Sequence, residues 1–132
     1  MGSQAELIEE LGRRFRAGDP DGAFALFHED FRIQQPESLP HGGTHVGQAG
    51  MQEMSALFAE HWTRTISEAS VQGCSDSVFQ ITTQTWTSKE TGRSATVDVL
   101  ELFSFTDELI SEIRVFQQDT HLLLRTLDPE AT

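Results

Sequence analysis

An α+β fold, helices first and then a meander of antiparallel strands, is predicted for this chain by three observations. Apolar residues recur every three or four positions from Leu7 to Phe27 and again from Met51 to Thr65, the period of a half-buried helix. Beyond Ile66 the period drops to two, and Val, Ile, Thr and Phe become frequent, as in strands that bury one face. The 132 residues, 37% hydrophobic and 23% charged, have the size and balance of one globular domain spanning 1–132, and no repeat or linker divides them.

The elements follow in order. Ser3 and Glu6 form a capping-box signature ahead of Leu7, Ile8, Leu11 and Phe15. Gly18 stops that helix, and Asp19-Pro20 starts a second, short one carrying Phe24, Leu26 and Phe27. HEDFRIQQP reads as a short strand closed by Pro36. The next stretch, PESLPHGGTHVG, holds two prolines, three glycines, two histidines and a glutamate, and reads as a stiff, turn-rich loop. A third helix is expected from Gln48 to Thr65, with Met51, Met54, Phe58, Trp62 and Thr65 on one stripe and His61 turned to solvent. ISEASVQG, VFQITTQTWTS, SATVDVLELFSF and ELISEIRVFQQ are four strands, with hairpin turns at SKETGR and TDE. The tail, DTHLLLRTLDPEAT, reads as one more short helix.

Composition excludes several functions. A net charge of −12 with only nine scattered basic residues argues against a phosphate-backbone binder, so no nucleic-acid partner is expected. No apolar run approaches the ~18–20 residues of a membrane span. MGSQAELIEEL lacks a basic stretch and an apolar core, and Glu6 stands where a myristoylation motif wants Ser or Thr, so a cytoplasmic location is expected. Cys74 is the single cysteine, which leaves no internal disulfide and no thiolate cluster. His41 and His45 lie four apart but straddle glycines instead of riding a helix, so no metal is expected.

Alternation identifies the face that matters. From Ser94 to Phe105 the odd row is Val97, Val99, Glu101, Phe103 and Phe105, and the even row is Thr96, Asp98, Leu100, Leu102 and Ser104. The odd row is the more apolar and should meet the helices, which sets the Glu101 carboxyl among valines and phenylalanines. Such a group must find a donor or hold its proton with a raised pKa. The alternatives are an outward Glu101 after a one-residue slip, or a structural pair with Arg93 or Arg114. Leu100 and Leu102 suit either a homodimer surface on the outer face or a site under the C-terminal tail. The row Val78, Gln80, Thr82, Gln84 and Trp86 suits a cavity wall or a solvated edge strand.

This order of elements resembles the cone-shaped barrel of the ketosteroid-isomerase and SnoaL-like polyketide cyclase superfamily, over essentially the whole chain. LPHGGTHVG, residues 39–47, is similar to that family's LPYGGTYRG loop, and residues 91–119 look like its closing strands. The resemblance implies three N-terminal helices packed on a curved, mainly antiparallel sheet. It also marks departures: Gln35 stands where the isomerases carry their aspartate base, and Phe15 lies near the place of their phenolic donor in a chain without tyrosine. Glu101 matches their second, carboxylic acid donor, a group that the isomerase keeps neutral in an apolar site. Thr82, Gln84 and Val115 replace the acids and arginine of the epoxide hydrolase branch, and His41, His45 and Val46 replace the loop's tyrosines and arginine.

The function expected is acid–base catalysis without a cofactor, of cyclase, isomerase or dehydratase type, on a hydrophobic small molecule such as a polyketide- or terpenoid-like intermediate. Glu101 and His41 are the catalytic candidates. Gln35, Glu37 and Gln84 are candidates for orienting the ligand's polar groups, and Trp86, Trp62, Phe15, Phe58 and Val99 for enclosing it. His45 and His121 are weaker candidates. The alternative is a noncatalytic dimeric module that binds a small molecule in the same pocket.

Overall fold

The computed structural model describes residues 3–130, except the side chains of Ser3 and Glu68; the Ser3 capping box lies outside the described residues. Two helices come first, α1 (Ser3–Arg16) and α2 (Pro20–Phe24), followed by β1 (Phe27–Gln35) and β2 (Gly43–Val46). Then come α3 (Gly47–Ala59), four long strands β3 (Trp62–Cys74), β4 (Ser77–Ser88), β5 (Ser94–Thr106) and β6 (Leu109–Gln117), and α4 (Thr120–Arg125). The strands form one curved sheet in the order β2-β1-β6-β5-β4-β3. Every neighbouring pair is antiparallel except β1 with β6, which run parallel. The α+β architecture and the mainly antiparallel sheet are those expected.

Local chemistry sets the boundaries. Asp19 caps α2 by accepting from the Gly22 N–H at 3.0 Å, and Asp119 caps α4 by accepting from Leu122 at 3.0 Å. Four expectations need correcting. The third helix ends at Ala59, so Trp62 and Thr65 belong to β3. Phe58 and Trp62 share helical spacing by coincidence across the turn at Glu60–His61, and the β-branched Thr63, Thr65 and Ile66 favour the strand. His61 is half-buried, its ring 5.7 Å from that of Trp62, and not turned fully to solvent. Phe27 opens β1 and does not extend α2, and the supposed loop contains β2, which pairs with β1 from Arg32–Val46 to Gln35–Gly43.

Two apolar clusters fill the concave side. One gathers Ile8 and Leu11 of α1, Phe27, Phe31 and Ile33 of β1, and Phe103 of β5. The other gathers Leu39, Trp62, Trp86, Val97, Val99 and Leu123. Leu123 shows that α4 closes the inner side of the sheet, so the tail does not cover Leu100 and Leu102. The second cluster is pinned by a buried chain: Trp62 Nε1 donates to Thr126 Oγ1 at 2.8 Å, and that hydroxyl donates to the Leu123 carbonyl at 2.6 Å. Thr126→Val would strand the indole N–H in the core. It is expected to cost about 1–3 kcal/mol, read as a lower urea midpoint with unchanged slope.

Candidate functional site

Glu101 sits at the seam between the two clusters. Its strand neighbours on the same face are Val99, in one cluster, and Phe103, in the other. A cavity of about 110 Å³ opens at this seam. Met54, Ser55 and Phe58 of α3 form one wall, Gln84, Trp86, Val99 and Glu101 of the sheet another, and Gln35, His41, Arg64, Val115 and Gln117 complete it. Register places Gln80, Glu101 and Val115 in one row across β4, β5 and β6.

Glu101 Oε1 accepts a hydrogen bond from Gln80 Nε2 at 3.0 Å. Burial pushes its pKa above the ordinary glutamate range; the Gln80 hydrogen bond and the Arg64 charge pull the other way, with smaller effect. Arg93 and Arg114 are not its partners. Arg93 donates to the carbonyls of Asp128 and Pro129, and Arg114 stacks over Phe116.

His41 is 3% exposed, although it follows an exposed proline in a loop. The loop folds back through hydrogen bonds from Leu39 N–H to the Pro36 carbonyl and from Gly42 N–H to the Leu39 carbonyl. A Cβ at Gly42 would collide with the Pro36 carbonyl oxygen, so only glycine fits this turn. The imidazole is thereby pressed among Phe58, Trp62 and Trp86, with ring centroids 5.4–6.1 Å away. Desolvation, followed by the charge of Arg64, lowers its pKa to about 4, so it is neutral at pH 7. His45 lies outside the cavity and contacts the His41 carbonyl through Nε2 at 2.9 Å.

Arg64 was not anticipated. Its side chain reaches over the Phe58 ring at 5.0 Å, where desolvation lowers its pKa and the Glu101 charge opposes that shift. A helix drawn through Thr65 hides it; a strand starting at Trp62 puts Arg64 opposite Trp86, on the inner face. Gln117 was also missed, and it reaches the site because β6 pairs it with Val99.

Among the anticipated residues, Gln35, His41, Phe58, Gln84, Trp86, Val99 and Glu101 line the cavity. Gln84 is held on both sides, accepting from Trp86 Nε1 at 2.9 Å and donating to Thr82 Oγ1 at 2.9 Å, so it braces the Trp86 wall. Trp62 lies behind that wall, 5.0 Å from Trp86. Trp62 therefore does not line the cavity, and two further expectations fail geometrically. Phe15 is 43% exposed and packs edge-on against Phe24, away from the cavity, because its helix buries Ile8 and Leu11 instead. Glu37 lies outside the cavity as well, in a separate chamber, because the turn after Pro36 carries it away from Gln35. Among the described residues, three buried polar atoms have no hydrogen-bond partner: Gln35 Oε1, His41 Nδ1 and Gln117 Oε1. All three residues line this cavity. Among the described residues no cluster of His, Cys, Asp and Glu could hold a metal ion, and no helix is long and apolar enough to cross a membrane.

A model of the SnoaL-like domain matches residues 8–113, and the chain belongs to that family. No curated protein matches the sequence. Among solved structures, an NTF2-like protein of Burkholderia xenovorans LB400 is 21% identical, with a TM-score of 0.84 over 97% of this chain and 98% of that one. TerC, co-crystallised with polyporic acid, is 22% identical, with a TM-score of 0.81 over 96% of this chain and 98% of its own. A protein of Mesorhizobium loti, provisionally described as a SnoaL-like polyketide cyclase, is 22% identical, with a TM-score of 0.63 over 85% and 97%. Likeness at this level establishes a shared fold.

The His41 environment has a consequence for stability. Its folded pKa lies below the unfolded value, so the unfolded chain binds the extra proton between about pH 6.5 and 4. Stability should fall as pH drops through that window, by up to about 3 kcal/mol if the shift is fully expressed. Urea unfolding of wild type and His41→Gln across the window should show this slope in the wild type and a much flatter one in the variant.

Proposed function

We propose that this member of the SnoaL-like domain family is an acid–base catalyst that uses its own side chains, without a cofactor, to move protons on a hydrophobic small molecule. Isomerisation, cyclisation and dehydration of carbonyl compounds can each begin with a proton leaving a carbon next to the carbonyl, and the cavity suits that step. The observation that carries the reading is a single one: Glu101, Arg64 and a neutral His41 face the same small space, walled by aromatic and amide side chains. There Glu101 Oε2, the oxygen not engaged by Gln80, takes the α-proton while the C–H electron pair moves into a new C=C bond and the carbonyl oxygen becomes an enolate. Desolvation makes the carboxylate a stronger base than it would be in water. The Arg64 guanidinium and an N–H on His41 Nδ1 would stabilise the enolate oxygen, and a neutral imidazole can serve because its tautomer is free to adapt. Returning the proton from Glu101 to another carbon completes an isomerisation; attack of the enolate carbon on a second carbonyl, whose oxygen takes the broken π pair and then the proton from Glu101, completes a ring closure.

A second copy of the chain is the partner proposed. Leu100 and Leu102 lie on the outer face of β5, with the exposed Ile81 opposite Leu100 on β4. An apolar patch crossing these two strands suits a self-complementary two-fold contact.

Proton exchange tests the catalytic reading without knowledge of the natural substrate. Wild-type protein in deuterium oxide should accelerate α-proton exchange of a hydrophobic ketone such as tetralone, followed by proton NMR. The rate should rise with pH through a midpoint above the ordinary glutamate range. Glu101→Gln should lose at least about a hundredfold of that rate while still binding the ketone. Ketone binding without exchange in either protein would favour the noncatalytic binding module. Separately, Leu100→Lys should convert a dimer to monomer by sedimentation velocity.

A further inference from the structure

β1 and β6 run parallel only as far as the Gln34–Arg114 pair. Beyond it the strands continue to Gln35 and Gln117 without pairing, and a chamber of about 400 Å³ occupies the gap. Gln35, Val115 and Gln117 line both this chamber and the inner cavity, so the two spaces share one wall. In that wall, Gln35 Oε1 and Gln117 Oε1 are buried acceptors without a donor. Two desolvated carbonyl oxygens in one wall are costly unless something donates to them, and among the described residues nothing does.

The two volumes set the division of labour. The inner cavity has room for about one ring or a short branched end, below the ~300–1,000 Å³ of ordinary ligand pockets, whereas the outer chamber falls within that range. A ligand larger than one ring that extends from the inner cavity into this chamber crosses the shared wall at the two glutamines. On the β6 side of the chamber stands Arg114, its guanidinium 5.3 Å from the Phe116 ring centroid. It makes no ion pair among the described residues; the nearby acid, Glu112, is taken by Gln34 at 2.7 Å and Arg32 at 3.6 Å. An unpaired cation on an aromatic platform, in a chain of net charge −12, is suited to an anionic ligand group. Glu37 also faces the chamber, with its carboxylate close to Gly43 on the β2 side.

We propose that the outer chamber is a second subsite, which holds the carboxylate tail of an elongated ligand against Arg114 while Gln35 and Gln117 accept hydrogen bonds from donor groups at the ligand's waist. Glu37 keeps the anion on the Arg114 side. The subsite deepens the function proposed above, because it defines the non-reacting end of the molecule whose other end meets Glu101.

Binding of simple probes tests it without turnover. Terminally substituted phenylacetate, phenylbutyrate and phenylhexanoate, with the matching alcohols, are titrated into the protein while the Trp86 indole N–H is followed by NMR. The ring should perturb Trp86, and the longer acids should bind about tenfold more tightly than their alcohols. Arg114→Gln should abolish that preference and leave the alcohols unchanged, Arg114→Lys should restore part of it, and Glu37→Gln should strengthen acid binding. Equal affinity for acid and alcohol, a preference that survives Arg114→Gln, or no binding by any member of the series would overturn the proposal. Glu101→Gln should keep the acid preference whether or not the wild type catalyses exchange, so failure of the catalytic reading and failure of the subsite are told apart.

Discussion

The pleat of β5 gives Glu101 no outward option. Successive side chains of a strand alternate between faces, and the same row carries Val97, Val99 and Phe103, each nearly inaccessible. Turning the carboxylate to solvent would require turning three large apolar groups out with it. The charge is therefore held in place by its neighbours' hydrophobicity, and the rest of the site answers to that fact: a glutamine across the strand as donor, an arginine as distant counter-charge, and a space that the two apolar clusters cannot close.

That space is a seam between two cores. Each cluster packs well by itself, one around phenylalanines and the other around two tryptophans. Between them lie amides, a carboxyl and an imidazole, which cannot interdigitate as methyl groups do. Leaving buried polar atoms without partners costs about 1–3 kcal/mol each, and three such atoms face this seam. A fold under selection for stability alone would have replaced them. The neutral state of His41 has the same origin: the glycine turn that drives the ring among aromatic walls also strips it of water, so it enters the site as an adaptable donor or acceptor and not as a cation.

Much of this was legible in the residues, but unevenly. Alternation along residues 94–105 was enough to place Val99 and Glu101 inward, and the mixed row of β4 was enough to suggest Gln84 and Trp86 as a wall. What failed was the arithmetic of short periods. Phe58 and Trp62 are four apart, and the helical stripe ran on through a turn into a strand, which concealed Arg64. Gln117 depends on the register of β6 against β5, and the β1–β6 pairing joins residues some eighty positions apart, so no local pattern encodes either. The turn after Pro36 overrides the strand period that would keep Glu37 on the side of Gln35. Phe15 misled for the opposite reason: its helical stripe was read correctly, but a stripe says which side faces inward, not which of its members reaches the end of the buried surface.

The parallel contact between β1 and β6 also orders events on the ribosome. β1 has only the four-residue β2 as a sheet neighbour until the segment around Ile110–Arg114 has been synthesised. The first third of the chain must therefore wait, with Phe27, Phe31 and Ile33 lacking the cover of Phe103, Ile110 and Ile113, for a strand that emerges last. Contacts so distant along the chain slow folding and lengthen the time that sticky surface is presented. The nascent polypeptide should thus have its greatest need for chaperone cover late in translation, just before the sixth strand leaves the exit tunnel.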